Sequence, residues 1–101
     1  MSSDELKWVW VFCGEGARFP SGVFGSLATA KSWVASKGLS GLLTSYPVDV
    51  GVYGWAVDGG HFEPRRGKHQ TARFIQGFTT SALPHHHFED GVLLGDDHAG
   101  S

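Results

Sequence analysis

The sequence predicts an α+β domain: a small mixed or antiparallel sheet of about four strands, the first of them central, with two to three short helices. Three observations predict it. Lys7-Trp8-Val9-Trp10-Val11-Phe12-Cys13 is rich in the β-branched and aromatic residues that favour strands. Residues 27–37 carry apolar side chains at helical spacing between Ser26, a good N-cap, and Gly38, a good C-terminal stop. The predicted order of strand, strand, helix, strand, helix, helix, strand does not repeat as βαβ units.

The first strand alternates Trp8, Trp10 and Phe12 on one face with Val9, Val11 and Cys13 on the other. Both faces are apolar, so it is expected to be covered on both sides, with Cys13 as a small packing residue. Residues 14–22 hold three glycines and Pro20 and read as a loop. Gly22-Val23-Phe24 reads as a short strand returning beside the first. The helix over 27–37 presents Leu27, Ala30, Trp33 and Val34 to the sheet. Gly41 to Tyr46 reads as a second main strand, stopped by Pro47.

Residues 50–60 admit two readings. Alternation permits a strand. Asp49 as cap, Val52 and Tyr53 paired with Ala56 and Val57, and Gly59-Gly60 as stop favour a helix. Gly51 and Gly54 each weaken that helix by about 1 kcal/mol relative to alanine. Helix is the preferred reading. Residues 62–68 read as a loop. Thr71 to Gln76 reads as a short helix with Phe74, Ile75 and Phe78 inward and Gly77 ending it, and residues 79–88 hold a last strand. The organisation expected is a flexible end at 1–6, one domain at 7–91 and a loosely ordered acidic tail at 92–101.

The chain of 101 residues is 41% hydrophobic and 13% aromatic, enough for one self-supporting core. Cys13 is the single cysteine, so no intrachain disulfide forms, and a reducing, cytoplasmic setting is expected. Residues 1–7 contain Asp4 and Glu5 and do not resemble a leader. The longest apolar run, residues 8–13, falls far short of the ~20 residues that span a bilayer, so no membrane partner is expected. The net charge of −2 disfavours general nucleic-acid binding. Its distribution is uneven. No acidic residue lies between Glu63 and Glu89, where Arg65, Arg66, Lys68 and Arg73 cluster, and no Lys or Arg follows Glu89.

Familiar catalytic signatures are not met. Gly14-Glu15-Gly16 follows a strand, but a dinucleotide loop needs a third glycine where Phe19 stands, and Pro20 follows. There is no Gly-x-Ser-x-Gly elbow. His85-His86-His87-Phe88-Glu89-Asp90 is the most unusual segment. In a strand His85, His87 and Glu89 share one face, a two-histidine, one-carboxylate set suited to a divalent transition metal, with His61 or His69 as a further ligand. Pro64-Arg65-Arg66-Gly67-Lys68-His69 is a compact basic loop suited to phosphate or an acidic surface. Arginine, tryptophan and tyrosine are common binding hot spots. The candidate partner-binding residues are therefore Tyr53, Trp55, Arg65, Arg66, Glu89 and Asp90.

Several segments carry a resemblance: Trp8-Val9-Trp10-Val11-Phe12-Cys13-Gly14, Phe19-Pro20-Ser21-Gly22-Val23-Phe24, Leu42-Leu43-Thr44-Ser45-Tyr46-Pro47, Gly51-Val52-Tyr53-Gly54-Trp55-Ala56 and His85 to Gly91. Over residues 7–91 the chain resembles a family of small bacterial single-domain proteins without assigned chemistry. They look like the immunity proteins found beside bacterial toxins. That resemblance implies a non-enzymatic module that occludes a protein partner, a toxin domain among them, without a cofactor. It supplies no catalytic residues. The alternative expectation is a small metal-binding protein or metal-dependent enzyme using His85, His87 and Glu89. A third is a nucleic-acid accessory using Arg65, Arg66, Lys68 and Arg73. A homo-oligomer stays open.

Overall fold

The computed structural model describes residues 7–95. In chain order the elements are β1 (Trp8–Gly14), β2 (Gly22–Phe24), α1 (Leu27–Lys37), β3 (Gly41–Pro47), α2 (Val52–Asp58), a 3-10 turn (Gly67–Gln70), α3 (Ala72–Gln76), β4 (His85–Glu89) and β5 (Val92–Leu94). The architecture is α+β. The strands form one open antiparallel sheet in the order β2-β1-β3-β4-β5. It has five strands rather than about four. β1 is interior, paired on both edges, but β3 is the middle strand.

The extra strand corrects the expected tail for residues 92–94. Asp90 (φ 53°) and Gly91 (φ 85°) both take left-handed backbone, as a two-residue hairpin turn of the primed type requires. They return the chain so that Val92 pairs with Glu89 and Leu94 with His87. The turn is pinned to the α1–β3 connection. The Gly91 N–H donates to the Leu39 carbonyl at 2.7 Å, and the Asp90 N–H to Ser40 Oγ at 2.9 Å. The expectations for residues 1–6 and 96–101 lie outside the described residues.

α1 forms where the sequence predicts it. The Ser26 side chain accepts the Thr29 N–H at 3.2 Å, and Gly38 at φ 65° closes the last turn with its N–H to the Ala35 and Val34 carbonyls. The helix lays Ala30 and Val34 on the sheet against Phe12, Leu43 and Phe88, one side chain from each of three adjacent strands, and all five are buried. Trp33 caps this core edge-on to Phe12 at 5.7 Å and tilted against Phe24 at 5.2 Å. Residues 50–60 resolve as helix α2. Its cap is Gly51, without a side-chain bond, and Asp49 sits in a left-handed turn instead (φ 69°).

α2 carries Ala56 into the interior, and Trp55 meets Trp8 edge-on at 5.6 Å. Tyr53 begins a second, half-buried aromatic cluster with Phe62, Phe74 and Phe78. Thr71 caps α3 by accepting the Phe74 N–H, and that phase turns Phe74 and Phe78 inward. Ile75, expected inward, is 40% exposed instead, because it lies about a quarter turn round the helix from Phe74.

Candidate functional site

Register assigns every strand residue to one of two faces. Val11 pairs with Val23 and Thr44, Cys13 with Leu42, Leu42 with His87, and His87 with Leu94. Successive strand side chains alternate. The outer face therefore carries Val23 on β2, Val9, Val11 and Cys13 on β1, and Leu42, Thr44 and Tyr46 on β3. It continues with His85, His87 and Glu89 on β4 and Val92 and Leu94 on β5. Of these only Thr44 is buried. The α1 core and the Trp8–Trp55 contact both lie on the inner face.

The expectation that β1 is covered on both sides is thus corrected. Val9, Val11 and Cys13 are half-buried, shielded by their neighbours in the sheet. Cys13 is a half-buried residue of the open face, its Sγ 3.9 Å from the Ala17 carbonyl, and not a side chain of the closed core. At the two edges Val23 is 64% exposed, Val92 62% and Leu94 41%, half of the large exposed hydrophobic side chains among the described residues. Apolar side chains left exposed on both sides of a polar strand make a mixed surface of the kind found at interaction sites.

The face is hollowed. A depression of about 540 Å³ lies over Cys13, Leu42 and Leu94, with Glu15, His87 and Glu89 at its edge. A smaller one of about 230 Å³ shares Leu42 and His87 and extends over Thr44 and Tyr46 to residues 79–81. The two form one trough along β1, β3 and β4. Its charged lining is the two carboxylates, with no Lys or Arg.

His85 and His87 do share the outer face, their ring centroids 5.8 Å apart. His85 Nδ1 lies 2.7 Å from the Leu83 carbonyl oxygen. A carbonyl only accepts, so Nδ1 carries the proton and Nε2 of the neutral ring holds a free lone pair. His86 faces inward and stacks on Trp10 at 5.6 Å. Among the described residues no group of three His, Cys, Asp or Glu side chains is placed to hold a metal, so the His85/His87/Glu89 triad is not assembled. His61 stacks on Trp55 at 4.7 Å, and His69 packs against Phe74 at 4.7 Å; neither joins the histidine pair.

The remaining candidates come from several elements of the fold. Tyr53 is the hub of the second aromatic cluster, and Trp55 is held between Trp8 and His61. Both have structural work within the fold. Arg65 and Arg66 are exposed; Arg65 pairs with Glu63 at 3.3 Å on the surface. Glu89 belongs to the outer face and Asp90 to the hairpin turn at the far end of β4. Val23, Leu42, Tyr46 and Leu94 are the functional candidates that sequence reasoning missed. The signal available was the polar outward set of β4, which marks its face as uncovered once the pairing with β3 is known.

A family model described as Domain of unknown function (DUF7710) matches residues 9–94. The chain belongs to this family. The DUF7710 match runs from the second residue of β1 to the last residue of β5, so the hairpin strand is part of the family's domain and not an appendage. No curated protein and no solved structure matches the chain. Among the described residues no helix is long and apolar enough to cross a membrane.

Proposed function

We propose that this DUF7710 chain is a non-enzymatic protein-binding module whose contact surface is the outer face of the sheet. The observation that carries the reading is the open outer face, hollowed over Cys13, Leu42 and Leu94 and edged by the exposed Val23 on β2 and Val92 on β5. The occupant is a protein that presents an apolar patch with a basic group opposite Glu15 and Glu89. Apolar burial supplies affinity at the centre of such an interface, and charge complementarity at the rim supplies orientation and rate. Occlusion of a toxin, as an immunity protein does, is one form of this function, and an acidic rim suits a basic partner.

The test is made with the partner recovered from the native host and then purified. Val23→Glu/Leu94→Glu places two charges on exposed positions of the face. The double variant is expected to bind at least about 100-fold more weakly, a change of about 2.7 kcal/mol, with its melting temperature unchanged. Arg65→Ala/Arg66→Ala is expected to bind as the parent chain does. The reverse pattern would reject the face and return the function to the basic loop.

A second reading rests on the His85 tautomer. With Nε2 free and His87 beside it, the pair supplies two imidazole ligands for a divalent transition metal. Two ligands from one strand make an open site, to be completed by water or by a partner's donors, rather than a closed structural one.

A further inference from the structure

One cavity is untouched by the reading above. It measures about 630 Å³, within the usual range of small-ligand sites, and it is open to solvent. Lys68, His69 and Arg73 supply its polar edge, and Phe74 and Phe78 supply aromatic wall. The geometry points to a site for an anionic group carried on an aromatic ring, an aryl phosphate or aryl carboxylate.

Charge is the first argument. No carboxylate lines the cavity, and no acidic residue occurs in the sequence between Glu63 and Glu89. Among the described residues the one ion pair is Arg65 with Glu63, so the lining residues Lys68 and Arg73 contribute two positive charges that no carboxylate pairs.

The His69 tautomer is the second. The Arg65 N–H donates to His69 Nδ1 at 3.2 Å. Nδ1 is therefore an acceptor, and the neutral ring carries its proton on Nε2. The lining residues thus carry an ammonium, a guanidinium and an imidazole N–H, all donors, the groups that complement a phosphate or carboxylate.

The third argument is pre-organisation. Thr71 donates through its hydroxyl to the Lys68 carbonyl at 2.8 Å and accepts the Phe74 N–H at 3.3 Å. The backbone that carries Lys68 is thereby held in fixed relation to the backbone of Phe74. Phe74 and Phe78 lie 5.9 Å apart between ring centroids and are backed by Tyr53 and Phe62; both are half-buried and line the cavity, so part of each ring borders the opening. A bare anion would leave that aromatic wall to water, and a neutral ring would leave the donors without an acceptor. An aryl anion satisfies both.

The test is a calorimetric and NMR titration of the full chain with phenyl phosphate, inorganic phosphate and phenol, and with a short phosphotyrosine peptide. Phenyl phosphate is expected to bind one per chain, at least about tenfold more tightly than inorganic phosphate or phenol, shifting His69 and Phe78 resonances, with affinity falling as salt rises. Tighter binding of the peptide would identify a modified partner side chain as the natural source, and equal binding a free small molecule. Lys68→Ala/Arg73→Ala alters two exposed side chains, so its unchanged melting temperature serves as the folding control. It is expected to lower phenyl phosphate affinity at least about tenfold. Inorganic phosphate binding as well as phenyl phosphate, undiminished binding by the double variant, or no resonance shift at ~10 mM phenyl phosphate would each overturn the proposal.

Discussion

Leu42 and Leu43 are neighbours in β3 that face opposite sides of the sheet, so replacing each by alanine separates the two faces energetically. Leu43 is fully buried under α1, paired with Phe12 on one side and His86 on the other. Removing three carbons forfeits about 2.4 kcal/mol of transfer free energy at ~0.8 kcal/mol per methylene. The cavity left behind adds roughly 1 kcal/mol, for a total of about 3–4 kcal/mol. Leu42 is half-buried on the outer face, where water fills the space vacated. It loses about half the transfer contribution and no cavity contribution, or about 1 kcal/mol. The difference of about 2–3 kcal/mol corresponds to roughly 10–20 °C in melting temperature for a domain of this size. Urea unfolding followed by tryptophan fluorescence, fitted with a common slope, measures both. Equal costs within about 0.5 kcal/mol would mean that the outer face is covered in the folded chain, and the assignment of the two faces would be refuted.

Three further outcomes follow from named contacts. Ser26→Ala removes the α1 N-cap and is expected to cost about 1 kcal/mol in chemical unfolding, while Ser26→Asp keeps an acceptor and most of that stability. Gly91→Ala meets left-handed strain of about 1–2 kcal/mol and also places a Cβ 3.1 Å from the Ala35 carbonyl. Gly16→Ala meets the strain alone, since nothing lies within 4 Å, so Gly91→Ala is expected to lower the melting temperature further and equal losses would count against the packed hairpin. Nickel or zinc titration is expected to show one weak site per chain that disappears in His85→Ala, whereas Glu89→Gln leaves it in place; retention of binding by His85→Ala would discard the histidine-pair reading.

The parts legible in the sequence are those whose signals are local. β1 declared itself by aromatic and β-branched density, and α1 by Ser26 and Gly38 at its two ends. β3 needed only its apolar run and Pro47. β5 was missed although Asp90-Gly91 stands between Glu89 and Val92, a strong hairpin signal. Val92 and Leu94 read as the start of a tail because the composition after Gly91 turns to Gly, Asp and Ser with little to bury, and both are in fact left exposed. The site was hidden for a related reason. Val9, Val11 and Cys13 look like core in isolation. Only the β3–β4 register, which sets His87 beside Leu42 and His85 beside Thr44, shows that their face is the polar-edged outer one. Tyr53 and Trp55 read as partly exposed aromatics, with a core role favoured for Trp55, and both are half-buried; their ring partners at Phe62, Phe78, Trp8 and His61 are contacts that spacing does not reveal. The basic cluster at 65–73 was visible as charge, but not the aromatic wall that turns part of it into a cavity.

The most direct test of the binding face is methyl cross-saturation NMR with the purified partner, since it reports contact side chain by side chain. The account predicts saturation at Val9, Val11, Val23, Leu42 and Leu94, with Val34, Leu43 and Leu83 silent in the interior. Saturation confined to residues around Tyr53 and the 65–73 segment, with the outer-face methyl groups silent, would contradict it.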